Sequence, residues 1–282
     1  MKYAAAITLY NPQPEYIYNI FEYTKSFPLV IINDNTSNNS DYASIFTGKE
    51  RIIYLWDGSN HGLPKAFNQS LKICLERGID YLCTLDQDSK LGEHAIAVIK
   101  GYIENHDMSQ TAVIAPKPIE IKKQASEDMT EETKAVSWVI CSGAFVNVKL
   151  LNEKGIAYDE AYFVDRFDGD ISKQINDAGL KQLVLNTVEM PHACGDETGH
   201  SPLRNYYIFR NRFYYNDKYY SRLKSISRTF LQTVRHCWTL MMNQKDGMKK
   251  VKMLPLAYRD YRKGLMGEVP ASTLEKIKKI SK

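Results

Sequence analysis

Two aspartates separated by one residue, Asp86 and Asp88, follow the short apolar stretch Tyr81–Leu85. Such a stretch is typical of a buried strand, and the carboxylates then emerge where the chain leaves the sheet. In an extended chain alternate side chains point to the same side, so we expect both carboxylates to face one hard divalent cation. A cation held there bridges the carboxylates to a diphosphate that they would otherwise repel. The same spacing also occurs in solvated loops. Features elsewhere in the sequence are therefore needed to distinguish a metal site from a solvated loop.

The segments around these aspartates alternate between strand and helix. The predicted strands are Lys2–Leu9, Leu29–Asn33, Arg51–Leu55 and Tyr81–Leu85, and the predicted helices are Glu15–Thr24, Leu63–Glu76 and Glu93–Asn105. This alternation predicts an α/β fold with a mostly parallel sheet between layers of helices. In such folds the site lies at the carboxyl ends of the strands.

Polar residues cluster at those strand ends. They are Tyr10 and Asn11, Asp34 and Asn35, Asn60 to Gly62, and Asp86 to Asp88. Neither the G-x-G-x-x-G motif of dinucleotide oxidoreductases nor the P-loop motif G-x-x-x-x-G-K-[ST] is present in the sequence. The pattern therefore favours a sheet that binds a nucleotide through a metal and without a glycine cradle.

The segments after residue 116 are less regular. Lys117–Lys134 is polar and charged, which predicts either a mobile loop that closes over a substrate or a plain surface loop. Val136–Val148 is apolar but is interrupted at Ser142-Gly143, where backbone can approach a ligand closely. Asp159–Asp170 gathers acidic residues, and we expect the helix Ile171–Ala178 and the strand Lys181–Leu185 to follow.

Composition limits the location of the protein. The sequence contains no run of about 18 apolar residues that would span a bilayer. Its N-terminal apolar stretch is short and leads into Asn11-Pro12, so we interpret it as the first strand and not as a signal peptide. Five scattered cysteines without a C-x-x-C pair indicate free thiols in a reducing compartment.

Charge is distributed unevenly along the chain. The net charge of +4 combines a basic segment, residues 201–282 with 19 Lys and Arg against 5 Asp and Glu, with an acidic remainder of 18 against 28. Residues 222–242 form a helical pattern whose apolar positions share one face: Leu223, Ile226, Phe230, Val234, Trp238 and Met241. We expect this face to lie on an anionic membrane surface. Packing on the rest of the protein and a homodimer contact are the alternatives.

The ordered motifs of the chain resemble glycosyltransferase family 2, and especially its bacterial rhamnosyltransferase-like members. The matching pieces are ITLYNP, IINDNTS, N-x-G-x-x-x-A-x-N at Asn60–Asn68, LDQDS, YFVDRFDGD, His192, and R-N-Y-Y-x-x-R-N at Arg204–Asn211. One departure is Phe167, which stands where many relatives carry a glutamate. The resemblance implies a GT-A (Rossmann-like) domain over residues 1–215, and we assign residues 216–282 to a basic amphipathic helical extension.

The same resemblance implies roles for individual residues. Those expected to line the nucleotide-sugar pocket are Leu9, Asn11, Asp34, Asn60, Gly62, Asn68 and Asp86. Asp34 would form a hydrogen bond with the pyrimidine base. Asp86 and Asp88 would hold Mg²⁺ or Mn²⁺, with His192 as a further ligand. Asp168 would be the catalytic base, with Asp165 as the next candidate.

The chemistry of inverting sugar transfer agrees with these assignments. It needs a base for the acceptor hydroxyl and a cation for the departing diphosphate. Arg204 and Arg210 would add positive charge there, because arginine grips phosphate in a bidentate manner. Pairing of both arginines with acidic residues of the segment 1–200 is the alternative, and it stays open.

We therefore expect an inverting, metal-dependent glycosyltransferase of bacterial surface polysaccharide synthesis. The expected donor is dTDP-rhamnose and the acceptor is an oligosaccharide or a lipid-linked saccharide; a galactofuranosyl- or glucosyltransferase with a UDP-sugar donor is the alternative. We place it in the cytoplasm, peripheral on the inner face of the cell membrane.

A nucleotidyltransferase would need a Gly-rich basic loop that ITLYNPQPE lacks. A nucleic-acid-binding module using the basic segment would leave the acidic strand ends without a role, so we expect no nucleic-acid partner.

Overall fold

The computed structural model describes residues 1–37, 42–120, 131–192, 200–243 and 245–282, apart from the side chains of Glu120, His192 and Asn243. Backbone contacts divide the chain into two compact units. The first unit comprises Met1–Asp159 and Asp168–Ala193, and the second unit comprises Glu160–Phe167 and Cys194–Lys282.

One mixed sheet organises the first unit. Its strands in chain order, β1 to β8, are Tyr3–Leu9, Val30–Asp34, Ile52–Leu55, Tyr81–Asp86, Thr111–Glu120, Thr133–Ala135, Ala144–Asn147 and Lys181–His192. Their order across the sheet is β3-β2-β1-β4-β7-β5-β8-β6. The pairs β1–β2, β1–β4, β2–β3 and β5–β8 are parallel, whereas β7 is antiparallel to both β4 and β5, and β6 to β8. The expected mixed, mostly parallel α/β sheet is confirmed.

Helices flank this sheet. In chain order, α1 to α6 are Pro14–Ser26, Ala43–Phe46, Gly62–Glu76, Glu93–Asn105, Val148–Glu153 and Phe167–Asp177. Every residue of β1 is buried, as a central parallel strand covered on both faces requires. Helix α3 buries the predicted face, including Ala66, Phe67 and Leu71, and contacts β1 and β4. The core therefore lies around β1, β2 and β4, the three strands whose carboxyl ends carry the candidate site.

The region after α4 differs from the prediction. Strand β5 continues through Glu120, so the first part of the segment that we expected to be a loop, Lys117–Lys134, lies in the sheet. Residues 121–130 lie outside the described residues, and the end of the segment belongs to β6. Strand β8 extends to His192, beyond the predicted end at Leu185. Pairing between β5 and β8, which continues to Glu120 and His192, accounts for both extensions.

The second unit is helical. It contains a short 3₁₀ helix, Glu160–Tyr162, and helices α7 to α11: Pro202–Tyr219, Arg222–Asn243, Gly247–Val251, Met253–Arg262 and Ala271–Ser281. Its core includes Tyr206, Phe209, Leu240 and Met253. Position 215, where we expected the domains to divide, lies inside α7, and this division into domains stays a prediction. No helix in the described ranges combines the length and apolar character needed to cross a membrane.

Candidate active site

The register of three parallel strands brings Asp34 and Asp86 to one edge of the sheet. Leu9, the last residue of β1, pairs with Asp34 of β2. Its neighbour Thr8 pairs with Asp86 at the end of β4. The two aspartates therefore end the strands on either side of β1, and the expected convergence of these strand ends is present in the backbone.

Asp34 is held in one orientation by two hydrogen bonds. The backbone N–H of Thr36 donates to Asp34 Oδ1 at 2.9 Å, and the Tyr54 hydroxyl donates to Oδ2 at 2.6 Å. Trp56 donates from Nε1 to the Thr36 carbonyl at 2.9 Å, which fixes the turn from the other side. A buried carboxylate supported in this way is suited to recognise a donor group on a ligand.

The loop after β1 is tied to the loops after β2 and β4. The Asn11 N–H donates to Thr36 Oγ1 at 3.0 Å, and the Tyr10 N–H donates to Gln87 Oε1 at 2.9 Å. Asn11 adopts a positive φ of 44°, a conformation that asparagine tolerates better than most residues. Leu9 is fully buried at the strand end. These links join the three loops that carry the predicted nucleotide-binding residues.

The N-terminus of α3 is ordered by Asn60 and Gly62. Asn60 Oδ1 accepts a hydrogen bond of 2.9 Å from the Gly62 N–H. Gly62 has a φ of +77°, and its carbonyl accepts from Asn35 Nδ2 at 3.2 Å. Asn60 and Gly62 thus shape the backbone where α3 begins and connect it to the end of β2.

Asn68 connects α3 to the segment after α5. Its Nδ2 donates to the Tyr158 carbonyl at 2.8 Å, and its Oδ1 accepts from the Tyr158 N–H at 3.0 Å. The Tyr158 ring packs on Phe67 with centroids 5.2 Å apart. These contacts give Asn68 a positioning role toward Tyr158.

The chain turns directly after Asp86, which corrects one expectation. Strand β4 ends at Asp86, and Gln87 and Asp88 form a turn. The Ser89 N–H donates to the Asp86 carbonyl at 3.1 Å, and Ser89 Oγ accepts from the Asp86 N–H at 2.9 Å. The argument from strand alternation therefore does not apply to Asp88, because the backbone leaves the extended conformation one residue earlier. Asp86 is half-buried and Asp88 is exposed.

The donor set at this turn fits a cation that a substrate helps to hold. Among the described residues, no group of three or more His, Cys, Asp or Glu side chains is arranged to bind a metal. The predicted third ligand, His192, ends β8, and its side chain lies outside the described part of the structure. Mg²⁺ is commonly held by one or two carboxylates together with substrate phosphates and water. Two carboxylates at an open turn match that mode and do not form a closed protein cage.

Asp86 and Asp168 both act on the buried thiol of Cys141. Burial raises the pKa of Cys141 well above its ordinary value, and the carboxylates of Asp168 and Asp86 raise it further. Tyr158 also lies at this point, with its hydroxyl 4.0 Å from Cys141 Sγ, and Asp168 helps to raise the tyrosine's pKa. Both carboxylates therefore influence the charge state of one buried thiol in the first unit, although 82 positions separate them in the sequence.

Asp168 lies in the first turn of α6, where a negative charge is favourable. Its Oδ1 accepts a hydrogen bond of 2.7 Å from the Gly169 N–H. The side chain is half-buried, whereas that of Asp170 is fully buried and accepts from Gln174 Nε2 at 2.7 Å. Asp168 is therefore the better placed of the two to reach a ligand.

Within the second unit, Asp165 forms an ion pair with Arg204. Arg204 Nε lies 3.1 and 3.2 Å from the two Asp165 oxygens, and Nη2 lies 2.9 Å from Oδ1. Asn211 Nδ2 also donates to the Asp165 carbonyl at 3.0 Å. The structure contains the pairing of Arg204 with an acidic residue, and the expected phosphate contact of Arg204 stays a prediction.

Arg210 has an internal role that sequence reasoning missed. Its side chain is 0% exposed, and its guanidinium donates to the carbonyls of Leu265 at 3.2 Å and Gly267 at 2.5 Å. It also lies over the rings of Tyr206 and Tyr207, 5.3 and 5.0 Å from their centroids. This corrects the expectation of a phosphate contact, because a fully buried guanidinium does not reach a diphosphate.

Sequence reasoning also missed several residues around the site. Thr36 and Tyr54 donate to Asp34, and Trp56 donates to the Thr36 carbonyl. Tyr158 is hydrogen-bonded to Asn68, and Cys141 lies beside the Tyr158 hydroxyl. The strand-end rule would have found Trp56, because it directly follows β3. Cys141 and Tyr158 reach the site through packing between distant parts of the chain. Such packing leaves no local pattern in the sequence.

Known proteins resemble the chain in sequence and in fold. No protein family model matches it. The sequence is 24% identical over 288 residues to the dTDP-rhamnosyl transferase RfbF of Shigella flexneri, covering 93% of this chain and 96% of that protein.

Two solved structures show the same fold. S. aureus TarS 1–349 in complex with UDP-GlcNAc matches with a TM-score of 0.58 and 14% identity, over 98% of this chain and 84% of that one. GalNAc-T7 with UDP, GalNAc and Mn²⁺ matches with a TM-score of 0.55 and 12% identity, over 74% and 47%. The chain therefore has the GT-A fold of these glycosyltransferase structures. Within that class, the chain is similar to a dTDP-rhamnosyl transferase over nearly its whole length.

Proposed function

We propose that the protein transfers L-rhamnose from dTDP-rhamnose to a saccharide or lipid-linked saccharide acceptor in the synthesis of a bacterial surface polysaccharide. The observation that carries this proposal is the strand register that brings Asp34 and Asp86 to either side of β1. The likeness to a dTDP-rhamnosyl transferase over nearly the whole chain supports the donor. The nucleotide in the structures of TarS and GalNAc-T7 supports a nucleoside diphosphate sugar more broadly.

In this proposal the nucleotide lies along the carboxyl ends of β1, β2 and β4. Asp34 accepts a hydrogen bond from the pyrimidine base, and its orientation is set by Tyr54 and Thr36. Leu9 and Asn11 line the pocket beside it, and Asn60 and Gly62 shape the wall at the start of α3. Asn68 acts indirectly, because its amide is bonded to Tyr158.

Asp86 and Asp88 would hold Mg²⁺ or Mn²⁺ together with the diphosphate, with His192 as a further ligand. When bound, the cation supplies positive charge that stabilises the diphosphate as it leaves. The presence of Mn²⁺ in the GalNAc-T7 structure supports a divalent ion, and Mg²⁺ and Mn²⁺ remain alternatives.

Asp168 is the proposed general base of a single inverting displacement. Its carboxylate takes the proton of the acceptor hydroxyl as the acceptor oxygen forms a bond to the anomeric carbon. The bond from that carbon to the diphosphate oxygen breaks, and its electron pair leaves with the diphosphate. Asp165 is the weaker candidate because its carboxylate is bonded to Arg204.

The remaining partners are proposed more broadly. The enzyme acts in the cytoplasm on the inner face of the membrane, where lipid-linked acceptors are found. UDP-galactofuranose and UDP-glucose are the alternative donors, and a homodimer is the alternative to a monomer. Residues 1–215 remain the proposed catalytic domain, with residues 216–282 as its extension.

A panel of nucleotide sugars tests this function. The panel contains dTDP-rhamnose, UDP-galactofuranose, UDP-glucose and UDP-GlcNAc, each screened with Mn²⁺, with Mg²⁺ and with a chelator. We expect dTDP-rhamnose to give the fastest metal-dependent hydrolysis and the largest thermal stabilisation. A preference for a UDP-sugar would assign that sugar as the donor in place of dTDP-rhamnose. A lack of response to every sugar would refute the proposed function.

A further inference from the structure

Helix α8 turns its polar side toward the rest of the second unit, to which it belongs. Asn216 of α7 donates to Thr229 Oγ1 at 2.8 Å and to Gln232 Oε1 at 3.1 Å. Ser225 Oγ donates to Asp217 Oδ1 at 2.5 Å, and Ser225 is buried. Hydroxyl and amide groups therefore provide much of the inner contact of this helix.

Arg212 extends the same inward network. Its Nη1 donates to the Gln232 carbonyl at 3.2 Å, and its Nη2 lies 2.8 Å from His236 Nδ1. Arg212 is buried, and its guanidinium lies over the Phe209 ring. Because these bonds fix the rotation of α8 about its axis, the opposite side of the helix faces outward.

That outward side is apolar. Its residues, which we call the α8 apolar face, are Leu223, Ile226, Phe230, Val234, Trp238 and Met241. Leu223 is 83% exposed, Phe230 65% and Trp238 62%. A surface helix ordinarily buries its apolar stripe and exposes its polar one, so α8 has the reverse arrangement. An exposed apolar patch of this kind marks an interaction site.

A groove of about 930 Å³ lies beside the α8 apolar face in the second unit. Five of the six residues of that face line one side of it, and the other side includes Phe213, Leu254, Pro255 and Tyr258. The groove therefore widens the apolar surface from a single helix to a region that also includes α10.

Basic residues flank the α8 apolar face. Lys224, Arg228 and Arg235 are exposed, and α8 contains no Asp or Glu in its sequence. Lys224 and Arg228 lie over the Tyr220 ring, with their charged groups 5.2 and 4.4 Å from its centroid. A second copy docked through this face would bring like charges together without an acidic partner on the same helix. An anionic surface would neutralise them.

We propose that the α8 apolar face docks on an anionic lipid bilayer, with its apolar side chains among the acyl chains and its basic flank at the headgroups. Amphipathic helices that lie in the membrane interface combine Trp, Phe and Leu on one side with Lys and Arg at its edges. The inward hydrogen bonds keep this face outward before any lipid is met. The inference deepens the membrane location proposed above and rests on it for its biological meaning.

Vesicle co-sedimentation of the full chain tests the inference. Vesicles of phosphatidylcholine alone are compared with vesicles that contain about 30 mol% phosphatidylglycerol, because basic residues respond to anionic headgroups. We expect binding to the anionic vesicles, and a partition coefficient at least about tenfold lower for Phe230→Glu combined with Trp238→Glu. Tyr18→Glu is the matched control, because Tyr18 is an exposed aromatic residue of α1 in the first unit; it should bind as the parent does.

A second pair of variants tests the charged flank. Lys224→Gln and Arg235→Gln should each lower the partition coefficient by about fivefold on anionic vesicles and leave binding to neutral vesicles unchanged. Equal binding of the parent to both kinds of vesicle would overturn the electrostatic part of the inference. Undiminished binding of the Phe230→Glu and Trp238→Glu variant would overturn the docking face.

Light scattering in the absence of lipid separates the membrane from a second copy of the chain. A dimer of the parent that dissociates in the Phe230→Glu and Trp238→Glu variant would assign the face to self-association and refute the inference. Donor hydrolysis without vesicles is measured in parallel and should be equal in the parent and the variant. Vesicle binding without any donor hydrolysis would refute the proposed function alone.

Discussion

The Tyr54 hydroxyl donates a hydrogen bond of 2.6 Å to Asp34 Oδ2, joining β3 to the end of β2. The Tyr54 ring stacks on Phe46 with centroids 5.7 Å apart, so the donor is itself held in place. The Thr36 N–H occupies the other carboxylate oxygen. Asp34 therefore presents a fixed acceptor at the edge of the sheet where the base is proposed to bind.

We expect Tyr54→Phe to raise the dissociation constant of dTDP or UDP by about tenfold, because a hydrogen bond to a charged group contributes about 1.5 kcal/mol or more. Asp34→Ala should weaken binding more strongly, since it removes the acceptor itself. Calorimetry with the free nucleotide measures both. Tyr18→Phe, at an exposed position, is the control and should bind as the parent does. Unchanged affinity of the Asp34→Ala variant would separate this carboxylate from base recognition.

Asp168, the proposed base, is tested by comparing the rate of sugar transfer with the affinity for the donor. Asp168→Asn should lower the rate of sugar transfer by about a hundredfold or more and leave donor affinity nearly unchanged, because the amide cannot accept the acceptor proton. Transfer is followed under single-turnover conditions, and donor affinity by calorimetry.

Asp165→Asn is the matched comparison for Asp168→Asn. It breaks the ion pair with Arg204, which is partly exposed and therefore contributes only about 1 kcal/mol to stability. We expect its transfer rate to stay within about tenfold of the parent, the loss arising from altered positioning alone. A loss confined to Asp165→Asn, with Asp168→Asn active, would assign the base to Asp165.

The interior of the second unit predicts a pH dependence of stability. Burial and the charges of Arg212 and His200 lower the pKa of His236 from 6.5 to about 4. Between those values the unfolded chain binds a proton that the folded chain excludes. The contribution of His236 is therefore absent above pH 6.5 and becomes progressively destabilising as the pH falls toward 4.

His236→Gln should reduce the loss of unfolding free energy between about pH 7 and pH 5, because glutamine does not titrate. Its amide oxygen can still accept a hydrogen bond from Arg212. Urea unfolding at the two pH values provides the measurement. His94→Gln, at an exposed position in α4, is the control. An equal loss in the parent and in His236→Gln would mean that other groups account for the acid sensitivity.

The sheet around β1 was predictable because its signals are local. Strands β1, β2 and β4 are short apolar segments followed by polar residues, and α3 has a clear apolar face. Once these elements are recognised, parallel pairing alone brings Asp34 and Asp86 to one edge. The residues that define that edge therefore follow from the sequence.

The far half of the sheet was not predictable for a physical reason. Strand β5 contains Pro116 and Pro118, and β8 contains Pro191, residues that ordinarily argue against a strand. The pairing of β5 with β8 shifts register between Pro116 and Lys117, which accommodates the interruption. Only the partner strand reveals this, and the partner lies more than 60 positions away in the sequence.

Within the candidate site, the turn at Asp88 and the role of Arg210 illustrate the same limit. The D-x-D spacing identifies both carboxylates, but the hydrogen bonds of Ser89 decide where β4 ends. An arginine in a polar-aromatic segment resembles a phosphate ligand, and only the carbonyls of Leu265 and Gly267 show that it is an internal residue. Tertiary contacts determine both outcomes.

The most direct test of the account is nucleotide binding with and without a divalent ion, in the parent and in Asp88→Ala. With Mn²⁺ or Mg²⁺ present, dTDP or UDP at about a hundred times its dissociation constant should stabilise the parent by about 2.7 kcal/mol in thermal or urea unfolding. The account predicts that a chelator removes this stabilisation and that Asp88→Ala lacks it at the same nucleotide concentration. Equal stabilisation with the chelator, or in Asp88→Ala, would contradict the claim that the turn after β4 holds a metal-bound diphosphate.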